Sequence, residues 1–409
     1  MYLNRTFPYE RLRRIAEESS LMDKYVDYAL LHRQFIDKSR WVYGPAINGF
    51  LSVAEETQRT NSSFKFALAL SGLFIEQLLK EDTALVASIT RLVGLGAVEI
   101  LAGTYYNSPA SVYPAGEEEF EEQVRENIQL VKKVFGVEPK VLVNTKLIYS
   151  DGVAKCAETL GLSGVIADFV PGLTAPSCTE VYSSGAHPTV RILVRNPKLS
   201  REFVQGDFEA GRAGSDGVNI IYVDGEDLPR ADISAYRNLA LSIVQRSVET
   251  ILPRDIIENT SPSGNLSVPE AARCASYELN GDVSTLIQNP MQRMFYERVS
   301  ALAPYVKEID DPRIKGLWRI LQQVDHLYCM DDSGTLQNPR VFSSSADAFS
   351  VCNTILVDFE GKVGTLVQRL RKAKAQAAQA ALHPTPQPAP AAVQRMAETP
   401  LQSRPLQKF

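Results

Sequence analysis

Short apolar runs of strand length alternate with longer amphipathic stretches through the first ~260 residues. The runs lie at 64–70, 97–102, 141–144, 164–168, 190–195 and 218–224, and helical periodicity fills 74–95, 117–135 and 152–160. Such a strand-then-helix rhythm predicts a parallel sheet or barrel whose strands are covered by helices. In barrels of this kind the chemistry sits at the carboxyl ends of the strands. Small or polar residues follow several runs directly: Gly103 to Tyr106, Asn144 to Lys146, Asp168, and Asp224 to Glu226.

The stretch 251–268, with Pro253 early and Ser261, Pro262, Ser263 and Gly264 later, reads as a connector. Beyond it the patterning is mostly helical, notably at 290–306, 314–326 and 346–374. From Ala375 the chain turns to Ala, Gln and Pro, too poor in large apolar groups to offset the entropy of ordering. The expected organisation is therefore a barrel over 1–260, a helical domain over 265–374 that closes the cleft, and a disordered tail over 375–409.

Length and charge narrow the partners. A chain of 409 residues accommodates a large α/β unit and a smaller second one. Its formal net charge is −5, and the only dense basic stretch starts at Arg369, which argues against nucleic acid or an acidic membrane surface. Cys156, Cys178, Cys274, Cys329 and Cys352 are odd in number and show no C-x-x-C spacing, so neither a disulfide framework nor a zinc site is indicated. The N-terminal residues contain no apolar leader core and no run is long enough to span a bilayer, so a cytoplasmic location is expected.

Four segments, 66–77, 96–111, 135–150 and 195–200, together with 218–226, 289–293, 324–330 and 347–360, resemble in order the α-amylase-like branch of glycoside hydrolase family 57. The resemblance covers nearly the whole chain to Lys374. It implies an α/β fold in which an incomplete seven-stranded (β/α) barrel is followed by a C-terminal helical bundle, with α-glucan as substrate and no cofactor. It also implies site residues. The nucleophile position, a glutamate in the family, is Lys146 here, and the acid/base position is Asp224 with Glu226 as its acidic neighbour. Glu99 matches a cleft glutamate, and Asp325 with His326 matches the contribution of the helical domain. A first-strand His-Gln-Pro would fall near Thr6, Phe7 and Pro8, where only the proline remains.

Retaining hydrolysis needs two carboxyl groups ~5 Å apart, one attacking the sugar carbon and one protonating the leaving oxygen. Lysine performs neither task. An ammonium within ~5 Å of Asp224 favours its ionised form, so a Lys146–Asp224 ion pair is the expected outcome. Lys146 then reads as a cation sealing a former active site, or as an amine with an acquired role. Asp224 and Glu226 read as its partners, as acceptors for sugar hydroxyls, or as an acid in an inverting route with Glu99 or Asp168 as base.

Tyr105, Tyr106 and Tyr149 follow strands and suit either stacking on sugar rings or packing. His326 reads as a satisfied histidine rather than a metal ligand, since no cluster of ligands accompanies it. The leading expectation is an amylase homologue that binds α-glucan or oligosaccharide, or a protein handling one, without cleaving it. The alternatives are a hydrolase or glucanotransferase with an altered mechanism, and a scaffold whose tail recruits a protein partner.

Overall fold

The computed structural model describes residues 25–26, 28–58, 64–114, 116–208, 217–246, 248–334, 336 and 341–382. The expected remnant of the first-strand signature at Thr6 to Pro8, and the tail from His383 onward, lie outside the described residues. Helix α1 (Tyr28–Lys38) runs through a π-helical turn (Ser39–Tyr43) into α2 (Gly44–Thr57). Strand β1 (Phe66–Ala69) follows.

The helical pattern expected over 74–95 is two helices, α3 (Gly72–Glu81) and α4 (Thr83–Gly94). They part at Asp82, whose backbone leaves the helical conformation (φ −148°, ψ 70°) and whose side chain accepts the N–H of Leu85 at 3.0 Å. Next come β2 (Val98–Leu101) and α5 (Glu117–Phe135). Helix α5 carries three glutamates in its first turn and two lysines in its last, complementing its dipole, and stops at Gly136 with φ 71°. Then follow β3 (Val141–Val143), α6 (Asp151–Thr159), β4 (Gly164–Asp168), β5 (Val181–Ser184), β6 (Arg191–Arg195) and α7 (Pro197–Gln205).

Strands β1 and β2 pair in parallel, and a single bridge from Ala102 to Leu142 links them to a second sheet of order β3-β4-β6-β5-β7, where β7 is Asn265–Leu266. Alternation sorts the side chains. Ala67, Leu101, Val141, Val143, Ile166 and Leu193 meet on the inner face, whereas Leu142, Val165, Ile192 and Val194 join the core beneath the helices. Strand β5, antiparallel to β6, was not foreseen. The strand expected at 218–224 is reduced to one parallel bridge between Ile220 and Arg195. Its donors are spent elsewhere: Val218 N–H goes to Thr179 O at 2.8 Å and Tyr222 N–H to Ser200 Oγ at 3.1 Å.

The presumed connector holds α9 (Pro253–Asn259) and β7 (Asn265–Leu266), after α8 (Ile233–Gln245). The helical half comprises α10 (Pro290–Ala301), α11 (Ala303–Ile309), α12 (Pro312–Leu321), α13 (Val324–Cys329) and α14 (Ser345–Leu382). Helix α14 continues beyond Ala375, where the chain was expected to lose its structure, because Ala and Gln are strong helix formers that extend an existing helix at little cost. Trp318, Leu327 and Phe359 share one core with Leu142, Val165 and Val194, so the helical half and the outer face of the sheet are sealed by the same apolar cluster. Among the described residues no helix is long and apolar enough to cross a membrane.

Candidate functional site

A cleft of ≈ 1990 Å³ opens over the carboxyl ends of the parallel strands. Thr104 and Tyr106 beyond β2, Thr145 and Lys146 beyond β3, and Tyr222 and Asp224 beyond the Ile220 bridge line it from the sheet side. Asp325 and Tyr328 of α13 line it from the helical half.

Lys146 owes its place to a tight turn. Asn144 accepts the Thr145 N–H through Oδ1 at 2.8 Å and donates from Nδ2 to Ile148 O at 2.9 Å, folding the chain back on itself. Inside this turn Lys146 (φ 52°) and Leu147 (φ 53°) are both left-handed. For residues with a Cβ each such conformation costs on the order of 1–3 kcal/mol, which the surroundings must offset. Burial of Leu147, the bond from Ser276 N–H to Lys146 O at 2.9 Å and the contact of Thr104 Oγ1 with Thr145 Oγ1 at 2.8 Å do so.

The Lys146 ammonium lies 2.8 Å from Asp224 Oδ2 and 4.8 Å from the centre of the Tyr328 ring. Burial opposes both charges of the pair. Each is nonetheless stabilised by the other: the carboxylate raises the Lys146 amine well above its usual value, and the ammonium holds Asp224 below the usual carboxylate value. Asp224 therefore carries no proton to donate near neutrality. Burial and the nearby Asp224 charge push the Tyr328 phenol up, to about 12.

A second charged group stands at the ends of β4 and β6. Arg195 donates to Asp168 Oδ2 at 3.1 Å and, in two parallel bonds of 2.9 and 2.7 Å, to Glu278. Asp168 also accepts the N–H groups of Phe169 and Tyr277 at 2.8 and 2.6 Å. With both oxygens occupied and its side chain wholly buried, Asp168 is not a free base for an inverting route.

The remaining candidates fall in different places. Tyr106 lines the cleft with Arg319 stacked 5.9 Å from its ring, whereas Tyr105 turns away, donates to Glu76 at 2.7 Å and fills the space over Gly72. Glu226 lines the cleft and accepts from Tyr43 at 2.9 Å and Lys38 at 2.7 Å, so its partners come from α1 and the π-helical turn and not from Lys146.

Three expected cleft residues lie elsewhere. Glu99 points to the inner face near the opposite end of the sheet and accepts the Arg254 N–H at 2.9 Å at the start of α9. Tyr149 is fully buried in the main core, because the left-handed turn at Lys146 and Leu147 reverses the chain before reaching it. His326 is buried, bonded to Ile320 O at 2.9 Å and packed edge-on against Phe295, and burial lowers it to about 4. Among the described residues no group of His, Cys, Asp and Glu has the makings of a metal site.

Tyr328 and Glu278 were missed in the sequence. For Tyr328 a signal existed: it stands three residues after Asp325, on the same helical face.

Comparisons agree with this architecture. Residues 2–205 match the family model of glycosyl hydrolase family 57. A protein of Methanocaldococcus jannaschii named "Putative alpha-amylase" is 26% identical over 390 residues, 86% of this chain and 81% of that one. The GH57-type branching enzyme of Pyrococcus horikoshii superposes with a TM-score of 0.64 at 11% identity, over 84% of this chain and 87% of that chain. The 4-alpha-glucanotransferase of Thermococcus litoralis gives 0.57 at 15% identity over 72% of this chain. This chain spans 52% of the glucanotransferase's length. The two structural likenesses show a shared fold.

Proposed function

Because this chain belongs to glycosyl hydrolase family 57, we propose that it is an α-glucan-binding protein whose cleft holds the polymer without running retaining hydrolysis. The relatives named for amylase, branching and glucanotransferase activities supply the substrate class. The observation that carries the rest is the Lys146–Asp224 pair at 2.8 Å. Double displacement needs a nucleophilic carboxylate and a protonated acid facing each other across the glycosidic bond. Here a cation stands opposite a carboxylate that it keeps ionised, so neither role is filled.

Features of the cleft suit a neutral sugar chain. Tyr106 and Tyr328 offer aromatic surface, and Asp325 offers a carboxylate partner. An incomplete seven-stranded (β/α) barrel with a helical bundle that closes its cleft belongs to the same reading.

Affinity electrophoresis in amylose and glycogen gels, paired with reducing-sugar release from the same polymers, tests it. Retardation of wild type, with release no greater than that of Lys146→Ala, is the expected result. Release above that control rejects the loss of hydrolysis, and unretarded migration in both gels rejects the ligand.

A further inference from the structure

Segment 221–232, between the Ile220 bridge and α8, contains no regular element, lines the cleft and carries Asp224. Helix α1 and the π-helical turn, an arm whose Asp37, Lys38 and Tyr43 also line the cleft, grip this segment. Asp37 takes two bonds from the Arg230 guanidinium at 2.8 and 2.7 Å. Lys38 and Tyr43 converge on the Glu226 carboxylate at 2.7 and 2.9 Å, and Trp41 O accepts the Ala231 N–H at 3.2 Å.

The convergence of Lys38 and Tyr43 depends on the π-helical turn. In an α-helix, residues five apart point about 140° away from each other. In this turn the Gly44 N–H bonds to Ser39 O, a spacing of i to i+5 that brings residues five apart nearly over one another. Two donors thereby reach one carboxylate. On the inner side, the Glu226 N–H donates to Asp224 Oδ1 at 3.2 Å, while Asp224 Oδ2 meets Lys146. Glu226 thus touches the arm with its side chain and Asp224 with its main chain.

We propose that the α1–π arm is a latch on segment 221–232, and that Glu226 is the positioning residue through which it fixes Asp224 against Lys146. This regulation of the cleft rests on its reading as a glucan site, though the latch itself is a property of the ligand-free chain. Its ion pairs are partly exposed, Arg230 and Asp37 at 60% and 47% and Lys38 and Glu226 at 31% and 60%. Pairs of this kind are individually weak and screened by salt, so these contacts open while Phe35 and Val42 keep the arm packed in the core.

Hydrogen exchange of the full chain, without glucan, tests this on wild type, Lys38→Met, Glu226→Ala and the exchanged pair Lys38→Glu with Glu226→Lys. Each single substitution is expected to speed exchange over 221–232 by about tenfold at unchanged Tm. The exchanged pair is expected to return most of the protection, which general loosening of the fold would not do. Unaltered exchange in both single variants, or an exchanged pair as fast as they are, overturns the latch. Failure to bind amylose would reject the glucan reading and leave the latch to be judged on exchange alone.

Discussion

Lys146 Nζ sits 2.8 Å from Asp224 Oδ2, so one ion pair joins the turn after β3 to the irregular segment on the facing wall of the cleft. Removing the cation in Lys146→Met leaves burial, which raises the Asp224 carboxyl, opposed only by the Glu226 N–H and the Lys38 charge, so Asp224 is expected to titrate higher than in wild type. Carbon-13 resonances of the Asp224 carboxyl report this directly. The stability cost is expected to be about 1 kcal/mol, discounted for solvent screening because the carboxylate is 35% exposed. An Asp224 titration that does not move would mean that the pair does not form in solution.

The pair also defines a pH window. Asp224 is lowered from 3.8 in the fold, so its contribution is present above that value and is lost as pH falls through the lowered one. Lys146 is raised above 10.5, so its contribution is complete below that value and is lost as pH rises through the raised one. The difference in unfolding free energy between wild type and Lys146→Met should therefore be flat from above the Asp224 titration of the variant up to 10.5, and shrink outside that interval. Urea titrations at a series of pH values check it, and a difference that drifts steadily across neutrality would contradict the assignment.

Arg195→Met is expected to be far more damaging than Lys146→Met. The guanidinium is 7% exposed and joins Asp168, which is fully buried, to Glu278. Removing one member of a buried ion pair strands the other charge at a cost of about 3–5 kcal/mol. Urea midpoints of the two variants decide the order. Equal losses would show that Asp168 is satisfied by the N–H groups of Phe169 and Tyr277 alone.

Much of the fold could be read from apolar periodicity, and its failures have physical causes. The runs ending at Leu70, Ala102, Asn144, Asp168 and Arg195 are strands because their alternate residues enter two different cores. The run at 218–224 has the same composition but lacks a ladder, since hydrogen bonding to Thr179 and Ser200 is not encoded in local pattern. Conversely Val181–Ser184 has little apolar signal and is a strand because its neighbours pair with it. The positions of Lys146 and Asp224 came from family resemblance. Those of Tyr149 and His326 depended on a chain reversal and on helix packing, which sequence spacing does not carry.

Glu99 supplies a pH dependence of opposite sign near neutrality. Its carboxyl is 5% exposed on the inner face of the sheet, with Oε2 bonded to the Arg254 N–H and Oε1 buried without a partner. Desolvation raises it from 4.5 to about 7, opposed by the Arg254 N–H and guanidinium and assisted by Asp255 and Glu258. Between these values the folded chain binds a proton that the unfolded chain has released. Stability therefore falls as pH rises through that interval, by an amount on the order of 3 kcal/mol. Glu99→Gln keeps an acceptor for Arg254 and cannot ionise, so it should abolish this slope and leave the variant more stable than wild type above pH 7. Urea unfolding of both proteins at pH 5 and pH 8 measures the effect, with the variant expected to change far less. Parallel losses in the two proteins would show that Glu99 is hydrated and titrates as an ordinary carboxyl.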